Sequence, residues 1–137
     1  MSQQFSSIIE EIYEKDPRYK MDAYAFVMEA LSFTQKKLRS PKHVTGEEML
    51  DGIRDLLLEK FGPMTMTVLN YWGIKNTEDI GHIVFNLVDN KILSKTEDDT
   101  LDNFRNAYDF EEVFYHGYRK QLAKKISRMR SIWYLPQ

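Results

Sequence analysis

The chain has 137 residues, enough for one domain, and its 42% hydrophobic and 29% charged residues are typical of a globular protein and not of a disordered one. The absence of cysteine excludes disulfides, thiolate catalysis and cysteine-based zinc sites. We expect a cytoplasmic protein with no integral membrane association, because no apolar run approaches the roughly 18 residues that span a bilayer and no signal peptide precedes the first helix.

The net charge of −2 conceals a strong segregation of charge along the chain. Residues 1–114 contain 13 basic residues against all 21 acidic ones, a formal charge of −8. Residues 115–137 contain no acidic residue and six basic ones. The chain is therefore divided into an acidic body and a basic tail, which we expect to belong to the same domain. This asymmetry is typical of a tail that binds an anionic partner. The six cations are Arg119, Lys120, Lys124, Lys125, Arg128 and Arg130.

Hydrophobic spacing predicts two helices in the first third of the chain. Apolar residues recur at helical intervals over residues 4–15, and again over about 23–38, where Asp22 is the expected N-cap. The end of the second helix is basic, which suits the negative end of the helix dipole. A second role in binding an anion is also open for this cluster, which consists of Lys36, Lys37, Arg39 and Lys42.

Three further helices are expected before residue 90. Thr45 begins a capping-box pattern, which predicts a helix over 46–61 that Gly62-Pro63 stops. A short helix over 64–72 follows and contains Trp72, an expected core residue. Thr77 is the expected cap of a helix over 77–89, whose apolar residues keep a regular helical period.

The pattern changes after residue 90, where two short apolar runs flank an acidic turn. These runs predict a β-hairpin over 91–104. The fold class is therefore expected to be mainly α, a helical single domain with the element order of a winged helix, in which 77–89 would enter the DNA major groove. Glu78, Asp79 and Asp89 would then face the DNA phosphates, which argues against sequence-specific DNA binding.

Separated motifs between residues 24 and 114 occur in a characteristic order. They are Tyr24-Ala25-Phe26-Val27, Trp72-Gly73-Ile74, Thr77-Glu78-Asp79-Ile80-Gly81, Ile83-Val84-Phe85-Asn86-Leu87-Val88, Leu93, Lys95-Thr96-Glu97-Asp98-Asp99, Asp102-Asn103-Phe104 and Tyr108-Asp109-Phe110-Glu111. In these motifs the chain resembles a family of small uncharacterised bacterial proteins. The resemblance implies a single domain and no settled activity, and it does not extend to the basic tail.

The tail is expected to form an amphipathic helix over about 111–132, with Leu122, Ile126 and Met129 spaced along one side. Two interpretations are open. The helix packs these residues on the core with its cations solvated, or it is an arm whose cations neutralise RNA phosphates while Tyr115, Tyr118, Trp133 and Tyr134 stack on unpaired bases. The predicted RNA-contacting residues are Arg119, Lys120, Lys124, Lys125, Arg128, Arg130, Trp133 and Tyr134, with Lys36, Lys37, Arg39 and Lys42 as a second patch.

These features predict a non-enzymatic RNA-binding or ribosome-associated protein, with a protein–protein adaptor as the alternative. A peripheral membrane anchor and a winged-helix DNA-binding regulator rank lower. No catalytic residue, metal site or cofactor is predicted, because His43, His82 and His116 are scattered and the glycines form no phosphate-binding loop. The acidic run Glu97-Asp98-Asp99 lacks the EF-hand pattern and is interpreted as a solvated turn.

Overall fold

The computed structural model describes the backbone of residues 2–39 and 43–133, and the side chains of residues 4–39 and 43–130. The chain is mainly helical, as predicted. Short 3₁₀ helices cover Gly62–Met64 and Leu101–Phe104, and π-helical turns cover Glu111–Gly117, which we call the π segment. These described residues form six α-helices: α1 (Ser2–Lys15), α2 (Met21–Leu38), α3 (Gly46–Phe61), α4 (Thr65–Trp72), α5 (Thr77–Asp89) and α6 (Tyr118–Trp133).

The helix starts show where local signals specify the backbone. The capping box of α3 is confirmed, since the Thr45 hydroxyl accepts from the Glu48 amide while the Glu48 side chain accepts from the Thr45 amide. The predicted N-cap of α2 is wrong, because α2 begins one residue before Asp22 and has Lys20 at its N-cap. Asp22 still lies in the first turn, where a carboxylate favours the helix dipole.

The prediction that Thr77 caps α5 is wrong, because the N-cap is Asn76. The Asn76 side chain accepts from the Asp79 amide at 3.0 Å. The Thr77 hydroxyl is buried instead, where it donates to the carbonyl oxygen of Phe104 at 2.5 Å and accepts from the amide of Ala107 at 3.1 Å. Thr77 therefore ties the start of α5 to a later part of the chain, which a local pattern does not reveal.

Helices α2 and α3 pack against each other at the centre of the molecule. They run antiparallel, with ion pairs that join Lys37 to Asp55 and Glu29 to Lys60. The two backbones approach closely at Gly52, because a Cβ atom there would lie 1.8 Å from the Thr34 hydroxyl oxygen. Around this pair α1, α4 and α5 complete a core whose most deeply buried side chains include Tyr19, Tyr24, Val27, Leu50, Leu57, Leu69, Ile80, Ile83 and Leu87.

Trp72 is buried, as predicted, and its ring lies 5.2 Å from the ring of Phe26 and 5.8 Å from the ring of Phe61, measured between centroids. This aromatic cluster joins the end of α4 to α2 and to the end of α3. Gly73 follows with a left-handed backbone, φ 87°, and ends α4. The eight-residue helix α4 thus contributes Thr65, Leu69 and Trp72 to the buried interior.

The predicted β-hairpin over 91–104 is wrong, and with it the winged-helix order, because the described residues contain no strand. The amides of Ile92 and Leu93 donate back to the carbonyl oxygen of Leu87, so this apolar pair closes α5 and does not enter a ladder. Further along, Thr96 and Asp99 form a side-chain-bonded turn, and a capping box begins the 3₁₀ helix at Leu101–Phe104. Apolar runs beside an acidic turn fit this turn-rich segment equally well.

Helix α6 leaves the core after the π segment. Phe110 and Phe114 are buried, and the Tyr108 hydroxyl donates to the carbonyl oxygen of Leu50 at 2.8 Å, so the chain before α6 is firmly attached to the body. Every described side chain from residue 119 to 130 is exposed. Of the two interpretations of the tail, packing on the core is therefore wrong for residues 119–130, which belong to a helix that projects from the body.

Candidate nucleic-acid interface

The π segment, from which α6 continues, packs against α4 and against the 3₁₀ helix at Gly62–Met64. Tyr118, half-buried at the first position of α6, lies against Gly62, where a Cβ atom would be 3.4 Å from the Tyr118 hydroxyl oxygen. The main contacts of α6 beyond this point are with the π segment that precedes it. The arm therefore starts from a rigid base, and its outer three turns meet solvent on all sides.

Helix α6 has two chemically different faces. Leu122, Ile126 and Met129 follow one another at the spacing of a helix face, and we call them the apolar stripe; they are 39%, 53% and 48% exposed. At 3.6 residues per turn, a second set of residues lies on the side opposite the stripe, and we call this set the cationic row. The cationic row consists of Lys120, Lys124 and Arg128, while Arg119, Lys125 and Arg130 flank the stripe.

The six cations of α6 have no carboxylate partner within residues 2–39 and 43–133. The guanidinium of Arg119 lies 5.5 Å from the centroid of the Tyr115 ring, a cation–π contact at the base of the arm. Tyr115 itself is 49% exposed, so its ring can contact a partner. The predicted site residues of the tail that the structure describes therefore share one accessible, acid-free surface.

The predicted second patch does not join this surface. Lys37 is paired with Asp55 at 2.5 Å, and Arg39 adopts a left-handed backbone and donates its amide to the carbonyl oxygens of Gln35 and Lys36, which caps α2. Lys36 is exposed at the last turn of the same helix. Asp55 lies about 10 Å along α3, at 1.5 Å per residue, from Gly62, which the side chain of Tyr118 contacts at the start of α6. Lys42, Tyr134 and the side chain of Trp133 lie outside the described residues.

The acidic side of α5 is occupied by contacts with neighbouring elements. Asp79 accepts from the Tyr19 hydroxyl at 2.6 Å, and Glu78 pairs with Arg105 at 3.2 Å. The amide of Asn86 donates to Asp16 at 2.9 Å and to the hydroxyl of Tyr24 at 3.0 Å. These contacts hold α5 to neighbouring elements, so Asp79, Glu78 and Asn86 already have partners within the chain.

Three exposed apolar residues near the base of α6 were not anticipated from the sequence. Met64 is 54% exposed, Met66 37% and Tyr71 64%, on the 3₁₀ and α4 helices that pack against the π segment. Exposed methionines and tyrosines are enriched at protein-binding surfaces. The sequence does contain a signal for this exposure. Helix α4, Thr65–Trp72, has apolar residues on more than one side, and so short a helix cannot bury all of them.

Each histidine lies near one carboxylate. His82 is 3.4 Å from Glu78 one helical turn away, and His116 is 3.7 Å from Glu111; both are contacts along the chain's own surface. His43 contacts Asp99 at 2.5 Å across a sequence separation of 56 residues. Partial burial raises the pKa of Asp99, but hydrogen bonds from Thr96 and the contact with His43 outweigh it, and the pKa lies below its ordinary value.

Compared with known proteins, the chain matches no protein-family model, no curated protein and no solved structure. The resemblance to a bacterial family therefore remains a prediction from the motifs alone. Within the part of the chain that the structure describes, no helix combines the length and the apolar character needed to cross a bilayer. What the structure adds to the sequence is the geometry of α6, an exposed helix with one cationic and one apolar face.

Proposed function

We propose that the protein is a non-enzymatic RNA-binding protein that docks on a ribonucleoprotein assembly such as the ribosome through α6. The observation that carries the proposal is that α6 projects from the body, contains no acidic residue and exposes all six of its cations. RNA binding depends on neutralising phosphates with such side chains. An acidic body of charge −8 repels RNA elsewhere, which confines the contact to the arm.

The two faces of α6 fit a partner that contains both RNA and protein. The cationic row suits a phosphate backbone, whereas the apolar stripe gains free energy only when another apolar surface covers it. A naked RNA helix uses the first face and leaves the second in water. A ribonucleoprotein surface offers phosphates and apolar protein side by side, so it is the kind of partner that uses both faces of α6.

A matched set of three variants of the full chain tests the proposal. The first removes the cationic row, Lys120→Gln/Lys124→Gln/Arg128→Gln. The second removes the same charge from exposed body lysines without an ion pair among the described residues, Lys15→Gln/Lys75→Gln/Lys91→Gln. The third removes the apolar stripe at two positions, Leu122→Ser/Ile126→Ser.

Binding to ribosomal RNA is measured by fluorescence anisotropy, and co-sedimentation with ribosomes is measured in parallel at low and high salt. We expect loss of the cationic row to weaken RNA binding by roughly 10- to 100-fold at low salt, because the affinity depends on the number of phosphates contacted. The body variant should bind as tightly as the unmodified chain. The proposal fails if the unmodified chain binds no RNA or if both charge variants lose the same affinity.

An adaptor that binds a protein is the second candidate, and the exposed apolar stripe favours it. Helices that present apolar residues at this spacing dock in hydrophobic grooves of partner proteins. Met64 and Met66 are further exposed apolar residues, on elements that pack against the π segment. The stripe variant separates the candidates. If it abolishes association with a defined protein that survives nuclease treatment, while RNA binding is undetectable in every variant, the adaptor is the correct function.

A further inference from the structure

A cleft of about 300 Å³ opens on the body between α2, α3 and α5. Its floor is apolar, and each of the three helices contributes to it through Leu31, Met49 and Val84, respectively. Phe104 closes one end from the 3₁₀ helix. Several of these side chains are only half-buried although they pack against the core, so the cleft is an incompletely covered part of the apolar interior.

Polar side chains also line the cleft, among them Gln35, one helical turn from Leu31 on α2. Asp99 is the one carboxylate among the lining residues, and it already contacts His43 at 2.5 Å and accepts from the amide of Thr96 at 2.9 Å. Lys95 also lines the rim, and its ammonium group has no carboxylate partner within the described part of the chain. One cation at the rim thus remains available to a ligand.

The start of α3 also lies at the cleft, through Thr45 and Gly46. Its capping box is complete, and Glu47 and Glu48 lie in its first turn, so the positive end of the helix dipole is already balanced by carboxylates. Lys95 is therefore the group at the cleft that favours a negative group on a ligand.

We propose that this cleft binds a small molecule with an apolar body and one carboxylate, which Lys95 holds at the rim. Pockets with an apolar lining and a few convergent polar groups are the usual form of small-molecule sites. A cavity of about 150 Å³ accommodates benzene, so one of about twice that volume suits roughly ten to twelve non-hydrogen atoms. A carboxylate with a chain of eight carbons has this size. The inference is independent of the function of α6, since no lining residue belongs to that helix.

The test is an NMR titration of the ¹⁵N-labelled full chain with three ligands of the same length: octanoate, 1-octanol and octylamine. We expect octanoate to bind most tightly and octylamine most weakly. The amide signals that move should include those of Val84, Val88 and Leu93, which line the cleft, while those of α6 stay in place. Equal binding of octanoate and octylamine would overturn the assignment of the carboxylate to Lys95, and no saturable shift at these residues would overturn the site itself.

Two lining variants and one control complete the test. Lys95→Gln should weaken octanoate about two- to fivefold, to the level of 1-octanol, the size expected for losing one exposed ion pair. Val88→Phe should fill the cleft and abolish binding of both ligands, with a spectrum that is otherwise unchanged. Lys75→Gln removes a charge outside the cleft and should change nothing. Unchanged octanoate affinity in Lys95→Gln would contradict the role of Lys95, whether or not Val88→Phe perturbs the fold. Octanoate binding that survives in a folded Val88→Phe variant would contradict the site.

Discussion

The buried hydroxyl of Thr77 connects the start of α5 to the segment that leads to the π turns. It donates to the carbonyl oxygen of Phe104 and accepts from the amide of Ala107. Thr77→Val keeps the shape but leaves both backbone groups without this partner, which we expect to cost about 1–3 kcal/mol of unfolding free energy. Urea denaturation measures the loss. Thr67→Val on the exposed side of α4 is the control and should stay within about 0.5 kcal/mol of the unmodified chain.

Gly52 permits the close approach of α2 and α3. Alanine gains about 1 kcal/mol of helix propensity over glycine, but a Cβ atom at 1.8 Å from the Thr34 hydroxyl oxygen forces a displacement that costs about 1–3 kcal/mol. We therefore expect Gly52→Ala to destabilise the chain in urea. In a Thr34→Ala background the nearest remaining contact is the Thr34 Cβ at 3.0 Å, so the penalty should shrink. An equal penalty in both backgrounds would show that the hydroxyl is not the obstacle.

Asp16 makes the stability of the fold sensitive to acid. The hydrogen bonds from the Arg18 side chain, helped by the amide of Asn86, hold the pKa of Asp16 well below its ordinary value. The stabilisation is fully present above the unfolded pKa of about 3.9 and is lost as the pH falls toward the folded pKa. We expect the urea midpoint of the unmodified chain to fall more between about pH 5 and pH 2.5 than that of Asp16→Asn. Asp98→Asn, at an exposed carboxylate without an ion pair among the described residues, should keep the full pH dependence.

Helix α6 differs from the other elements in that it adds little to the core. The described side chains after residue 118 are exposed, whereas Phe110 and Phe114 before it are buried. We expect deletion of residues 119–137 to change the unfolding free energy by no more than about 0.5 kcal/mol, the effect of a surface change. Deletion from residue 110 removes both phenylalanines and should cost several kcal/mol, since each buried phenylalanine contributes about 3–5 kcal/mol. A large loss in the shorter deletion would mean that α6 packs on the body.

Elements defined by local signals were predictable, and elements defined by distant contacts were not. The capping box at Thr45 and the regular period of α5 indicated their helices correctly, because backbone and side chains interact within a few residues. The segment 91–104 was mistaken for a hairpin because its apolar residues pack against the body from turns. The sequence does not decide whether α6 is packed or exposed, because apolar residues at i, i+4 and i+7 occur both on buried helix faces and on faces in solvent.

The same division holds for the candidate site. Charge counting alone identified the six cations of the tail, since no acidic residue follows Glu112. The ion pair of Lys37 with Asp55 depends on the antiparallel packing of α2 and α3, which brings together residues 18 positions apart. The sequence does not reveal the cleft beside Lys95 either, because its lining residues come from three α-helices, a 3₁₀ helix and two loops.

At the scale of the whole molecule, the separation of an acidic body from a basic α6 makes the protein approach an anionic partner with α6 first. The body of charge −8 is repelled while the arm is attracted, so electrostatics direct α6 to the partner before contact. The apolar stripe then adds short-range affinity that salt does not screen. Part of the affinity for a ribonucleoprotein therefore comes from the stripe and does not depend on salt. We expect this binding to weaken less steeply with salt than it would if phosphate contacts supplied the whole affinity.

The slope of log affinity against log salt concentration for RNA binding tests the central claim most directly. Each phosphate contact contributes about −0.7 to this slope for single-stranded RNA, so loss of the three cations of the row should make it shallower by about two. The variant of the three body lysines should keep the slope of the unmodified chain. A slope that is unchanged by loss of the cationic row, or equally reduced in both variants, would contradict the proposal that α6 is the RNA-binding arm.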